Sequence, residues 1–206
     1  MKKVLLLGDS IRIGYGKLVS DLLSDVAEVV QPAENCKWTK YLYWNFAIWA
    51  GETKYDLIHW NSGIWDMHYI DNNECFCSLE EYVRDNERLL QLIRKYSQKL
   101  VWATTIPGGK ILNQRKAHNV LINTNREFPI RMLTTDQDTW NCGVQKYNQA
   151  AREYYKKNGV KIDDLFSVMQ EHLEDYLSED GIHPNDKGYE ALAQHAADTI
   201  RRELSF

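Results

Sequence analysis

Val4-Leu5-Leu6-Leu7, entered through Lys2-Lys3 and stopped by Gly8-Asp9-Ser10, is a run of unbroken apolarity at the start of the chain. A strand with one wet face would alternate polar and apolar residues. A run that does not alternate predicts a strand buried on both faces, as in a parallel sheet covered by helices on either side. The run falls far short of the roughly 20 apolar residues that a bilayer span needs. It is also too short for the apolar core of a signal peptide. With no other such segment in the sequence, the expectation is a cytoplasmic protein that does not engage a membrane.

Further strands are predicted at Ala27 to Val30, Leu57 to Trp60, Leu100 to Thr105 and Val160 to Ile162. Between them lie helical patterns. Leu79, Tyr82, Val83, Leu89, Leu90, Ile93 and Tyr96 recur at helical spacing behind a Ser78/Glu81 capping box. Tyr189, Leu192, Ala193, Ala196, Ala197 and Ile200 trace one face of a last helix. Strands alternating with helices predict an α/β fold with about five parallel strands and helices on both faces. The 206 residues suit one domain spanning 1–206. Between Ile106 and Asp138 the periodicity fails, apart from a weak helical hint at Lys116 to Ile122. A connection this long predicts a lid or binding loop.

The charge balance, 25 basic against 29 acidic residues, offers no positive field for phosphates, so nucleic acid is not an expected partner. Four cysteines, Cys36, Cys75, Cys77 and Cys142, are too few and too irregular for a disulfide framework. Cys75-x-Cys77 with Asp66 and His68 upstream lacks a second pair, so no metal site is assigned.

Ligands in open parallel sheets bind beyond the carboxyl ends of the strands. Gly8, Gly14 and Gly16 do not form a dinucleotide fingerprint and no Gly-Lys-Ser/Thr follows, which leaves a flavin- or nucleotide-binding reading without its phosphate loop. Ser10, at a strand-to-helix turn, stands where a nucleophile would be presented beside helix N-terminal amides. Such a serine needs a base. Five of the six histidines have structural explanations: His59 within a strand, His68 and His118 in polar stretches, His172 in a charged segment, His195 in the last helix. His183, in Asp180-Gly181-Ile182-His183-Pro184, has a fixed backbone and an aspartate near enough to orient it.

Gly8-Asp9-Ser10 near one end and Asp180-x-x-His183 near the other resemble the blocks of the SGNH, or GDSL, hydrolases. Thr105-Ile106-Pro107, Tyr147-Asn148-Gln149 opening into a helix, and Pro184 with Gly188-Tyr189 leading into the last helix are similar features. The resemblance covers nearly the whole chain. It implies a three-layer α/β/α, flavodoxin-like fold and an esterase without cofactor. Ser10 would be the nucleophile, His183 the base and Asp180 the residue that orients it. It also implies an oxyanion hole built from the Ser10 amide, a glycine amide of a second block and an asparagine of a third.

The second and third blocks depart from the family pattern. Glu34-Asn35-Cys36-Lys37-Trp38-Thr39 lacks the glycine, so the amide of Cys36 or Lys37 could serve, provided the turn needs no positive φ. In Trp60-Asn61-Ser62-Gly63-Ile64-Trp65-Asp66, matching on the asparagine makes Asn61 the donor, whereas matching on Gly63 and Asp66 puts Trp65 in its place; a compact amide donor at a strand end favours Asn61, with Trp65 as the alternative.

Seven tryptophans and twelve tyrosines are many for this length, and for each the plain reading is core. Trp38 and Trp65, if at the pocket mouth, would suit a sugar ring. Arg12 could bind a substrate carboxylate or phosphate, or pair with a structural acid. The expected activity is hydrolysis of small acyl esters, foremost acetyl groups on a carbohydrate. The alternatives are a lysophospholipase or thioesterase of the same fold, or a silent glycan-binding module.

Overall fold

Continuous apolarity at Val4–Leu7 becomes the centre of a five-stranded sheet. The computed structural model describes residues 1–68, 74–110, 112, 119–120, 132–133 and 136–205. In chain order the elements are β1 (Lys2–Leu7), α1 (Ser10–Leu22), β2 (Ala27–Val30), α2 (Thr39–Ala50), β3 (Leu57–Asn61), α3 (Leu79–Ile93), β4 (Leu100–Ala103), β5 (Asn119–Val120), β6 (Met132–Leu133), α4 (Gln137–Lys157), β7 (Lys161–Asp163), α5 (Leu165–Gln170), α6 (Leu173–Tyr176) and α7 (Asp186–Leu204).

The main sheet runs β2-β1-β3-β4-β7, with every pair parallel. This is the flavodoxin-like order: the chain moves one way from β1 to β2, then crosses back over β1 to lay down β3. A crevice forms where the direction reverses, beyond the carboxyl ends of β1 and β3. On one face, α1 and α7 lie together with α5 and α6; on the other, α2 packs against α3 and α3 against α4. The result is a three-layer α/β/α fold, as the sequence predicts. Among the described residues, no helix is long and apolar enough to cross a membrane.

Strand pleating sorts the β3 side chains between the two faces. Trp60 pairs with Trp102 in register, and both rings pack 5.2 Å from Tyr155 of α4. His59 takes the opposite face, where its Nε2 lies 2.7 Å from Asp163 Oδ2, and His195 of α7 approaches the other oxygen at 3.2 Å. Two histidines with separate structural explanations thus share one buried carboxylate. Burial pushes the Asp163 carboxyl up, but the hydrogen bonds from His195 and His59 outweigh it and hold the group at about 2.

The capping box at Ser78 and Glu81 starts α3 as expected. Helix α2 carries no sequence assignment because it is apolar almost all round: Leu42 and Phe46 are buried, yet Trp44 and Ile48 are exposed, so no polar face marks a helical period. Tyr147-Asn148-Gln149 lies midway along α4 rather than at its start, which is capped by Asp136. Asn148 acts as a strand substitute: its side chain takes both the N–H and the C=O of Thr105 at 2.8 Å, just past the end of β4. Most of the connection from 106 to 138 lies outside the described residues; within the helical hint at 116–122 the two described residues, Asn119–Val120, are strand instead, because they pair antiparallel with Met132–Leu133.

Candidate active site

The turn after β1 places Ser10 at the first position of α1. Asp9, rather than Ser10, is the cap: its Oδ1 accepts from the amide of Ile11 at 2.9 Å. Asp9 is buried, its second oxygen has no hydrogen-bond partner, and burial pushes its carboxyl up. With the cap on Asp9, the Ser10 amide is one of the N-terminal amides that no helical carbonyl can satisfy, at the positive end of the helix.

The loop before α7 supplies the base. Ser10 Oγ and His183 Nε2 are 2.9 Å apart, and His183 Nδ1 and Asp180 Oδ2 are 2.6 Å apart. Asp180 Oδ1 accepts from the amides of Ile182 at 2.7 Å and His183 at 2.8 Å, and from the Ser178 hydroxyl at 3.0 Å. The loop therefore wraps its own carboxylate. Burial pushes the Asp180 carboxyl up, but these bonds, led by the His183 ring, hold it well below the usual carboxylate range. The same carboxylate raises His183 above an ordinary histidine, against the effect of burial. The pairing fixes the tautomer, with the proton on Nδ1 and the lone pair of Nε2 facing the serine.

Arg12 does not reach this crevice. It is 2% exposed, and its guanidinium donates to Pro32 O (2.9 Å), Glu34 O (2.7 Å), Gly8 O (3.3 Å) and Gln31 Oε1 (3.3 Å). Backbone carbonyls and the Gln31 amide, rather than an acidic side chain, hold it. It ties the nucleophile turn to the segment after β2.

The expected oxyanion donors divide. The Cys36 amide donates to Gly8 O at 3.0 Å and the Lys37 amide to Asn35 Oδ1 at 2.7 Å, so each already has an internal acceptor. The turn does use positive φ: Lys37 sits at 51°, where glycine would be at ease. Asn61 Nδ2 donates to Ala103 O at 2.9 Å, and the side chain lines a small cavity with Arg12, Tyr15 and Leu165, on the α1 side of the sheet. Trp65 lies in the turn after β3, half-buried, with its ring 6.4 Å from both Trp38 and His68. Trp38 also meets Phe76 at 4.9 Å, so the two expected sugar-facing tryptophans belong to one ring cluster.

Asp66 closes this turn from beneath. It is fully buried and accepts from the Thr39 amide (3.1 Å) and hydroxyl (3.0 Å), capping α2 from the turn after β3. Burial pushes its carboxyl up to about 7, against the hydrogen bonds from Thr39. His68 Nδ1 is bonded to Ile64 O, and burial pushes the ring down to about 4. Among the described residues, no group of three or more His, Cys, Asp or Glu side chains is gathered as a metal would require.

Comparison with known proteins places the chain in a family and a fold. The model of the GDSL-like lipase/acylhydrolase family matches residues 6–191. No curated protein matches by sequence. A lipase/acylhydrolase from Enterococcus faecalis superposes with a TM-score of 0.72 at 15% identity, over 98% of this chain and 96% of its own. An acetyl xylan esterase, AlAXEase, gives 0.72 at 16% identity over 96% and 99%. An acetylxylan esterase from Geobacillus stearothermophilus gives 0.71 at 17% identity over 100% and 94%. The chain belongs to the GDSL-like lipase/acylhydrolase family and is a carboxylic ester hydrolase.

Proposed function

We propose that the protein removes acetyl groups from a carbohydrate by a Ser10-His183-Asp180 mechanism. The carrying observation is the aligned relay from Ser10 Oγ through the His183 ring to Asp180, with separations of 2.9 Å and 2.6 Å. His183 Nε2 takes the serine proton as Oγ bonds to the acetyl carbon. The resulting imidazolium is stabilised by Asp180. When the C–O bond to the sugar breaks, His183 returns that proton to the departing hydroxyl. Water then enters, gives its proton to the same nitrogen and attacks the acetyl-serine; the proton returns to Oγ as acetate leaves.

The negative charge on the carbonyl oxygen falls to the Ser10 amide and the Trp65 indole. Among the described residues neither has an internal acceptor, whereas the Cys36 and Lys37 amides and one of the two Asn61 N–H groups do. The acetylated carbohydrate is supported by two structural relatives named as acetylxylan esterases and by the ring cluster of Trp38 and Trp65 beside the turn after β3.

A panel of esters from acetyl to long-chain, with acetylated xylan and acetylated monosaccharides included, tests the assignment. Fastest turnover on sugar acetates supports it; a preference for lysophospholipids or acyl thioesters overturns it. Ser10→Ala should lower turnover by several orders of magnitude and abolish labelling by a fluorophosphonate. Wild-type protein that fails to label would point instead to a glycan-binding module.

A further inference from the structure

The outer surface of α2 carries aromatic rings that the core does not use. Trp44 is 79% exposed and Tyr43 39%, whereas Trp60, Trp102 and Trp140 are all core residues. With Ile48 exposed one turn further on, the Trp44 ring is part of an apolar stripe on the outer face of α2, and a contiguous stripe rather than a lone ring marks an interaction surface. The ring borders a groove of about 330 Å³ between α2 and α3, within the range of small-molecule sites.

The floor of that groove is polar. Asp85 of α3 lines it with a side chain only 4% exposed. One carboxylate oxygen takes Arg88 Nη1 at 3.2 Å. The other lies 3.4 Å from Lys40 Nζ, yet it has no hydrogen bond. Lys40 pairs with that oxygen by charge but without an aligned hydrogen bond, so a ligand hydroxyl would supply the aligned donor. Lys40 and Arg88, both more than half exposed, border the same groove and could donate to ring and hydroxyl oxygens. The groove begins at Trp38, whose ring is 6.4 Å from Trp65 in the turn after β3.

We propose that this groove is an accessory saccharide subsite: a sugar ring lies with its C–H face on Trp44 and gives a hydroxyl proton to Asp85. It rests on the reading of the substrate as a carbohydrate ester. It adds that sugar residues some distance from the ester being cleaved are held along α2. The charge pattern favours a saccharide over a second copy of the chain. An apolar partner would strip water from Asp85, Lys40 and Arg88 without replacing its hydrogen bonds, whereas a chain of hydroxyls replaces them.

The test is electrophoresis of the intact protein in native gels containing acetylated xylan or the same xylan after alkaline deacetylation. Wild type and Ser10→Ala should both be retarded by both polymers, because the subsite reads the sugar and not the ester. Trp44→Ala should raise the apparent dissociation constant by about tenfold or more, as expected for losing a stacked aromatic anchor. Asp85→Asn should weaken retention as well, and circular dichroism shows whether each variant is folded. No retardation of wild type, or equal retardation of a folded Trp44→Ala, overturns the subsite even if acetate is released from acetylated sugars. Retardation without acetate release leaves the subsite standing and overturns the proposed activity. A dimeric wild type that becomes monomeric in Trp44→Ala assigns the face to a second copy and overturns the proposal.

Discussion

His183 Nδ1 lies 2.6 Å from Asp180 Oδ2, and this one contact sets both the direction of the imidazole and its affinity for protons. The base acts only when Nε2 is unprotonated, and the carboxylate makes protonation easier. Activity should therefore rise with pH through a value above the ordinary histidine 6.5 and be lost below it. A profile of kcat/KM against pH on p-nitrophenyl acetate reads this limb directly. Asp180→Asn removes the charge, so the limb should move to lower pH while kcat falls by orders of magnitude. An unchanged limb in that variant would show that Asp180 is not the partner that matters.

The third block offers two donors that mutation can separate. Trp65→Phe keeps an aromatic ring and deletes the indole N–H; loss of one oxyanion donor typically lowers kcat by about 10²–10³. Asn61→Ala deletes a bond to Ala103 O within the sheet, so its effect should appear in thermal stability with kcat changed less than about tenfold. Steady-state kinetics with denaturation curves distinguish the two, and the reverse pattern would return the role to Asn61.

Arg12 is a strut. Arg12→Met should leave buried carbonyl acceptors without donors, a loss of about 1–3 kcal/mol for such groups. Chemical denaturation measures it. Because Gly8 O is among those acceptors, kcat should fall with stability, whereas KM should respond equally for charged and neutral esters. A KM defect confined to anionic substrates would instead place Arg12 at the ligand.

Asp163 makes the fold pH-sensitive from within the core. Its carboxyl is held at about 2 in the folded chain, below the ordinary aspartate 3.8, so its contribution is complete above about pH 4 and disappears as pH falls toward 2. His195 has the opposite sign: raised by Asp163, it stabilises below 6.5, and its contribution fades as pH rises through its higher folded value. Asp163→Asn should lose about 1–3 kcal/mol at neutral pH, the usual cost of leaving buried groups without their hydrogen-bond acceptor. It should also flatten the acid limb of the melting temperature. Calorimetry across pH 2 to 8 supplies both readings.

Much of the molecule was legible because its signals are local. Val4–Leu7 announced a doubly covered strand, Ser78 and Glu81 announced a helix start, and Gly8-Asp9-Ser10 with Asp180-x-x-His183 announced the relay. What escaped depended on distant partners. Arg12 was expected to meet either a substrate anion or a structural acid because nothing in the sequence shows the carbonyls of Pro32 and Glu34 arriving beside it. Helix α2 escaped because Trp44 and Ile48 occupy the face where polarity would have revealed a period. His59 and His195 looked unrelated because their common carboxylate belongs to a third element. Asn148 looked like a helix opening because its real work is done at Thr105, across the layer.

Ser10 and His183 are 173 positions apart in the chain and 2.9 Å apart in space. They meet because the helix that one opens packs on the helix that the other precedes. A chain still leaving the ribosome can form β1 and its turn early, but it has no base to activate the serine until the last segment emerges and α7 docks. Hydrolytic competence therefore waits on the docking of α7, and a chain without that segment is a protein with a nucleophile and no base.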